Sequence, residues 1–440
     1  MNAFGTLFVL LNAAAILLLP LRWAPLPLLL GACYMTLGQG IELGPLNFPI
    51  IRILIAVGLL RVLASGKAPA GGLNGMDGAM LAWALWAVLS SLFHEEPAAS
   101  LVNRLGLVYN ACGIYFLLRV FCRSADDVVV LCRATAILLV PLALEMVVER
   151  FSGRNLFSAL GGVPELSDVR GGTVRAQGPF LHAILAGSVG AACLPLMVAI
   201  GSRHRATAVA GSLACLAVIY TSGSSGPVLS AAIGVLALVA WPLRRHLRSI
   251  RWAIVLAYVA LELVMNAPAY YALARIDVTG SSTSWHRAEL VHAALTHLSE
   301  WWLIGTDHTR HWMAYGVPWS ARHIDITNYY LMMGVYGGLP LMLLFIWVLV
   351  KGFSYVGRQL KVVEGRGDSG SALTIWGLGA ALIAHSATMI SVSYFDQSVL
   401  FLYITLAGIA GAYGAEPVPA EPGPRAGAVP VPGWVLYLGR

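Results

Sequence analysis

The sequence predicts an all-α integral membrane protein: a polytopic bundle of about 12–13 transmembrane helices with a large, partly helical segment before one late span. Three observations carry this. Charged residues make up 11% of the 440, against about 25% in soluble globular proteins. The chain is 58% hydrophobic, with a mean hydropathy of +0.76. Apolar runs of about 18–20 residues recur along its length, enough to cross a hydrocarbon core of roughly 30 Å at 1.5 Å per residue.

The apolar windows place spans near 4–20, 23–38, 48–64, 77–93, 104–121, 127–147, 178–201, 206–221, 225–242, 252–268, 328–350, 372–391 and 395–413. The first two are read as separate spans or as one re-entrant or tilted pair. The N-terminal MNAFGTLFVLL lacks the basic stretch of a cleavable signal, and further spans follow directly. Short basic connections, among them Arg61 and Lys67, Arg119 and Arg123, Arg203 and Arg205, 244–251, and Lys351 to Arg366, all fall on one side. The positive-inside rule makes that side the cytoplasm, and it reads the net charge of +7 as a topology signal rather than a nucleic-acid footprint. Two long polar segments, about 148–177 and 269–327, fall on the other side. Residues 1–413 thus form one transmembrane domain, and 414–440, rich in Pro and Gly, a flexible cytoplasmic tail. The six cysteines lie within or beside apolar runs, so neither a disulfide framework nor a Cys-based zinc site is expected.

The polar segments carry the chemistry. In VRGGTVRAQGPFLHAILAG, Arg170 and Arg175 precede a span that Gly178-Pro179 is expected to open. A helix N-terminus favours anions, and an arginine ahead of it adds a fork that fits phosphate oxygens. The alternative is an interfacial arginine on lipid headgroups. Between Ser284 and Leu303, the apolar Leu290, Val291, Ala294, Leu298, Trp301 and Trp302 recur at helical spacing. Glu289, His292, Thr296 and Glu300 form the opposite face of this interfacial amphipathic helix. Arg287 falls on its apolar side in the first turn, where helix polarity disfavours a cation. A neighbouring anion would explain it, and so would snorkelling to headgroups.

His286, His292, His297, His308, His311 and His323 lie in this segment with Asp307 and Asp325. Their spacing fits no strong metal motif, so no metal or cofactor is expected, and acid/base work is the more economical reading. SGSSG (222–226) is not a nucleophile elbow, because Pro227 stands where the second Gly should, and it reads as a tight turn. GGTVRAQG (171–178) lacks the Lys-Ser/Thr of a P-loop.

Four stretches in this order resemble the O-antigen ligase and polymerase superfamily, over roughly residues 1–413. RAQGPFLHAILAG is similar to the family's R-x-x-G-x-F element, and TSGSSGPVLS resembles its turn after the following span. HRAELVHAAL…WWLIG resembles its Arg-led helix and apolar-Gly corner. DITNYYLMMGVYGGLPLMLLF is similar to its H-N-x-x-L…G-x-x-G signature. The resemblance implies a glycosyltransferase in the bacterial inner membrane with its site facing the periplasm; direct displacement at the anomeric carbon would make it inverting and metal-independent. The donor would be an undecaprenyl-diphosphate-linked glycan, and the acceptor another glycan or lipid A–core. Membrane lipid and polysaccharide-assembly proteins are further expected partners; nucleic acid is not.

The family's diphosphate-holding arginines map to Arg175 and Arg287. Thr327 stands in the slot where the family has its catalytic His, so the base is Asp325 or His323. Arg310, Asp307, His286 and Asn328 are second-tier candidates. Two other classes stay open: a transporter or flippase of a lipid-linked sugar or anion, and a non-catalytic component of a polysaccharide assembly complex. A transporter calls for ionisable residues in mid-span, and the mid-span windows are nearly charge-free apart from Glu262.

Overall fold

A computed structural model describes residues 1–275, 284–318 and 320–415. The tail expected over 414–440 lies outside the described residues from 416 onward, as do 276–283 of the second polar segment. The chain is an all-α helical bundle. Its helices are α1 (Ala3–Leu18), α2 (Leu26–Tyr34), α3 (Ile50–Ser65), α4 (Gly75–Ser91), α5 (Pro97–Phe121), α6 (Ala125–Ser152), α7 (Ala183–Ala199), α8 (Arg205–Thr221), α9 (Ser225–Val239), α10 (Leu247–Val264), α11 (Ser284–Thr296), α12 (Leu298–Trp301), α13 (Tyr329–Gly365), α14 (Ser369–Met389) and α15 (Val399–Ala415). Two short antiparallel hairpins interrupt them: β1 (Gly40–Leu43) with β2 (Leu46–Pro49), and β3 (Asp168–Arg170) with β4 (Thr173–Arg175).

Among the described residues, five helices are long and apolar enough to cross a membrane: α5, α6, α7 with its 3-10 extension, α13 and α14. The pair α9 and α10 adds a sixth if its 75° bend is one broken span. The other expected spans are shorter helices. The 23–38 window yields only the nine residues of α2, because Pro20 and Pro25 hold the preceding chain out of a continuous α-helix. The chain is therefore polytopic, with fewer full-length crossings than apolar windows alone suggest.

Two ends of the bundle differ in chemistry. At one, which we call the lysine end, Arg61 donates to the carbonyls of Ile16 and Leu19, and Lys351 approaches Gly75 at the start of α4. There Arg203 pairs with Asp126 at 2.6 Å, Arg244 pairs with Glu364, and Arg119 pairs with Asp77. The opposite, loop end gathers both polar segments and the turn between α8 and α9. Helices α7, α8, α9 and α14 pack together, and α13 runs against α4, α14 and α15. These contacts hold the loop-end turns in fixed positions.

Helix α13 is broken near that end. Gly337 and Gly338 leave helical geometry, and Gly338 takes φ +74°, a conformation only glycine adopts readily. The corner 302–306 lies against this break: Leu339 N–H donates to Trp302 O at 2.8 Å, and Thr306 N–H to Val335 O at 3.0 Å. A Cβ on Gly338 would overlap the Leu303 carbonyl, and one on Gly334 would meet the Trp301 ring. The apolar-Gly corner and the GVYGG run are thus two halves of one close backbone contact.

Two expected boundaries move. Helix α7 begins at Ala183, not at Gly178. Gly178 sits at φ +56°, and the Glu149 carboxylate accepts from the N–H groups of Gln177 (3.1 Å) and Gly178 (2.8 Å), holding this stretch as a buried loop. The amphipathic helix expected over 284–303 breaks at His297 into α11 and α12. Leu290, Ala294 and Trp301 are buried as its apolar spacing requires, whereas Trp302 is exposed.

Candidate functional site

Arg175 ends β4 and lies close to a helix N-terminus, but that helix is α9 rather than the following α7. Its Nη2 donates to Ser224 Oγ at 2.6 Å and its Nε to Ser222 O at 3.4 Å, so it grips the SGSSG turn. Gly223 makes that turn possible at φ +57°, confirming the tight-turn reading. Ser224 occupies the N-cap position of α9, yet its side chain makes no capping hydrogen bond. Its hydroxyl accepts from Arg175 and donates to Ser222 O. An N-cap serine ordinarily accepts from the second or third N–H of its helix. Here the positive end of α9 lacks that cap.

Arg287 reaches the same turn from α11. Its Nη2 lies 3.8 Å from the position a Cβ would take on Gly226, in the first turn of α9. The helical spacing that puts Arg287 on the apolar face with Leu290 and Ala294 turns it into the bundle rather than out to lipid. Arg287 is half-buried and makes no hydrogen bond or ion pair among the described residues. Arg150 also points here, donating to Val174 O at 2.5 Å and lying over the Tyr220 ring. The one acidic partner Arg175 has among the described residues is Asp168, at 3.3 Å and largely exposed. Burial, then the nearby Arg170, lowers the pKa of both Arg175 and Arg287. Guanidinium groups stay protonated in proteins regardless, so three arginines crowd one helix end with little compensating charge.

The loop between α14 and α15 joins this cluster to the rest of the loop end. Ser391 Oγ lies 3.3 Å from the same Gly226 position, and Ser393 Oγ donates to Ile326 O at 2.6 Å. Asp396 accepts from Leu181 N–H at 3.0 Å, and Gln397 donates to Pro179 O at 2.7 Å. Burial raises the Asp396 pKa. Gln397 Oε1 is buried with no partner among the described residues. Gln397 and Asp396 line a cavity of about 270 Å³ between α3, α5, α13 and α15, together with Arg52, Asn103, Asn110 and Tyr336.

The two base candidates separate. His286 Nε2 donates to the Asp325 carbonyl at 3.1 Å, tying Asp325 to the first turn of α11 beside Arg287. Asp325 itself is exposed. His323 instead sits in the field of Asp307, His308 and Arg322, and its pKa is lowered, by burial before any of these charges. Asn328 is the N-cap of α13, accepting from Leu331 N–H at 3.0 Å. Arg310 folds onto the carbonyls of Met313 and Ala314 and takes no part in the arginine cluster.

Asp307 belongs to a constellation centred on His94. His94 Nδ1 donates to Asp307 Oδ1 at 2.7 Å, and Glu95 N–H to Asp307 Oδ2 at 2.8 Å. His94 Nε2 also contacts Tyr336 O, and the Arg104 guanidinium stacks 3.6 Å over the Tyr336 ring. Sequence reasoning passed over His94, Arg104 and Asp396. Their signal was a polar residue in an otherwise apolar context, as in SSLFHEEP and SYFDQSVLF. No known family model matches the chain, and neither does any curated protein.

Proposed function

We propose that the protein is a membrane glycosyltransferase of the O-antigen ligase or polymerase type. It would move a glycan from an undecaprenyl-diphosphate-linked donor to another glycan or to lipid A–core, at the periplasmic face of the bacterial inner membrane. The observation that carries this reading is the convergence of Arg175 and Arg287, from two distant segments, on the uncapped N-terminus of α9. Two guanidinium forks beside a helix N-terminus suit a diphosphate, which offers several anionic oxygens at once. Headgroup contacts would instead turn the two arginines separately outward.

In the proposed step the acceptor hydroxyl oxygen bonds to the anomeric carbon as that carbon's bond to the diphosphate oxygen breaks. The electron pair leaves on the diphosphate, whose developing charge the arginines offset, and the anomeric configuration inverts. The hydroxyl proton passes to a base within hydrogen-bond reach. Asp325 is the better placed, since His286 holds its backbone beside the Arg287 turn. The cavity beside Tyr336, with tyrosine faces and amide groups in its wall, offers the stacking and hydrogen bonding a sugar ring uses.

The test is transfer by purified protein from a lipid-linked donor. Arg175→Ala and Arg287→Ala are each expected to lower the rate about 10²–10³-fold, as loss of one charge-stabilising donor does elsewhere. Undiminished transfer by both variants would remove the proposal. Asp325→Asn is expected to abolish transfer while His323→Gln retains it, and the reverse pattern would move the base to His323.

A further inference from the structure

A second cluster lies away from the arginines, where α11 ends. We infer that His297, Glu300 and His311 bind a divalent transition-metal ion, with Zn²⁺ the best fit, and that the ion ties the end of α11 to the turn at 310–312. One ligand atom from each residue lies within 4.8 Å of the other two. Four-coordinate Zn²⁺ with bonds near 2.1 Å sets its ligand atoms roughly 3.4 Å apart, so small side-chain rotations close the site. Two imidazoles and a carboxylate are a common zinc donor set, with water in the fourth position.

Neighbouring groups already orient these ligands. His297 Nδ1 donates to Ala293 O at 2.8 Å, which fixes the tautomer and leaves Nε2 as the lone-pair nitrogen. That Nε2 has no hydrogen-bond partner among the described residues. Trp312 Nε1 donates to Glu300 Oε2 at 2.9 Å, pinning the carboxylate. The His297 ring stacks on Trp312 at 5.7 Å and meets the edge of His311 at 5.1 Å. Such outer contacts are what hold metal-ligating histidines and carboxylates in register. His311 Nε2 lies 2.9 and 3.1 Å from the two Glu300 oxygens. An ordinary ion pair would account for that contact, but not for a second imidazole, that of His297, held beside it with its lone pair uncommitted. On binding, the ion replaces the direct contact between His311 and Glu300.

The test uses full-length protein in detergent, without a histidine tag, stripped with chelator, incubated with Zn²⁺ and desalted. Wild type is expected to retain about one zinc per chain, and its thermal midpoint to rise with Zn²⁺. His297→Ala and Glu300→Gln should each weaken binding tenfold or more and remove the thermal shift. Glu300→Gln keeps an acceptor for Trp312, so it serves if His297→Ala fails to fold. No zinc retained by wild type, or equal retention by folded variants, overturns the site. Zinc content is read independently of glycan transfer.

Discussion

The two ends of the bundle treat buried arginines in opposite ways. At the lysine end, Arg119 and Asp77 are both fully buried and meet through two contacts, at 3.0 and 3.1 Å. Tyr115 and the backbone carbonyls of Ala70 and Gly72 complete the shell. Asp77 also closes a capping box with Asn74 at the start of α4. At the loop end, Arg175 has one exposed carboxylate at 3.3 Å, and Arg287 has none among the described residues. A fully paired arginine is a structural clamp. An arginine held in place by backbone and serine but short of negative charge is what the proposed diphosphate site calls for.

The contrast is sharpest in what substitution does. Replacing both Arg175 and Arg287 by Ala is expected to lower lipid-linked glycan transfer by at least about 10³-fold, while the thermal midpoint stays close to wild type, because removing crowded like charges relieves repulsion. Asp77→Ala should do the reverse. It leaves Arg119 buried without its counter-charge and is expected to cost about 3–5 kcal/mol of stability, read by thermal or denaturant unfolding in detergent. If the arginine double variant unfolds and Asp77→Ala does not, the assignment of clamp and site is wrong.

Smaller effects test how the loop end is held. Gly338→Ala forces a side chain into φ +74° and against the Leu303 carbonyl. It is expected to cost about 1–3 kcal/mol and to loosen the corner at 302–306, seen as faster amide exchange there. The smallest effect is acid sensitivity at Asp307. Burial raises the pKa of its carboxyl, but the Glu95 N–H and His94 outweigh burial and hold it below the ordinary value. A lowered folded pKa means stability present above the unfolded carboxyl value, near 3.9, and lost as pH falls through the folded one. Unfolding midpoints measured from pH 6 to pH 3 should therefore drop less steeply in Asp307→Asn, by a difference of about 1 kcal/mol or less.

Much of the fold was legible because membrane insertion writes itself into composition: long apolar runs, few charges and basic connections on one side. The face of α11 that carries Arg287, Leu290 and Ala294 was likewise readable from helical spacing. The start of α7 was misplaced because Gly178-Pro179 mimics a helix opening, while the carboxylate of Glu149, some thirty residues earlier in the chain, takes up the backbone N–H groups that a helix would have used. His94 was invisible as a site residue because its partner, Asp307, lies 213 positions away.

Sequence by itself determined that this is a multi-helix membrane protein whose ionisable residues concentrate in the segments between spans, since hydrophobic length and charge placement are local properties of the chain. Tertiary structure alone decided that Arg175 and Arg287 meet at α9, that the Asp325 backbone is tied to the first turn of α11 while His323 lies in the field of Asp307, and that His297, Glu300 and His311 converge. Each of those relations depends on the directions in which side chains leave separate packed helices and turns, and no pattern along one segment encodes them.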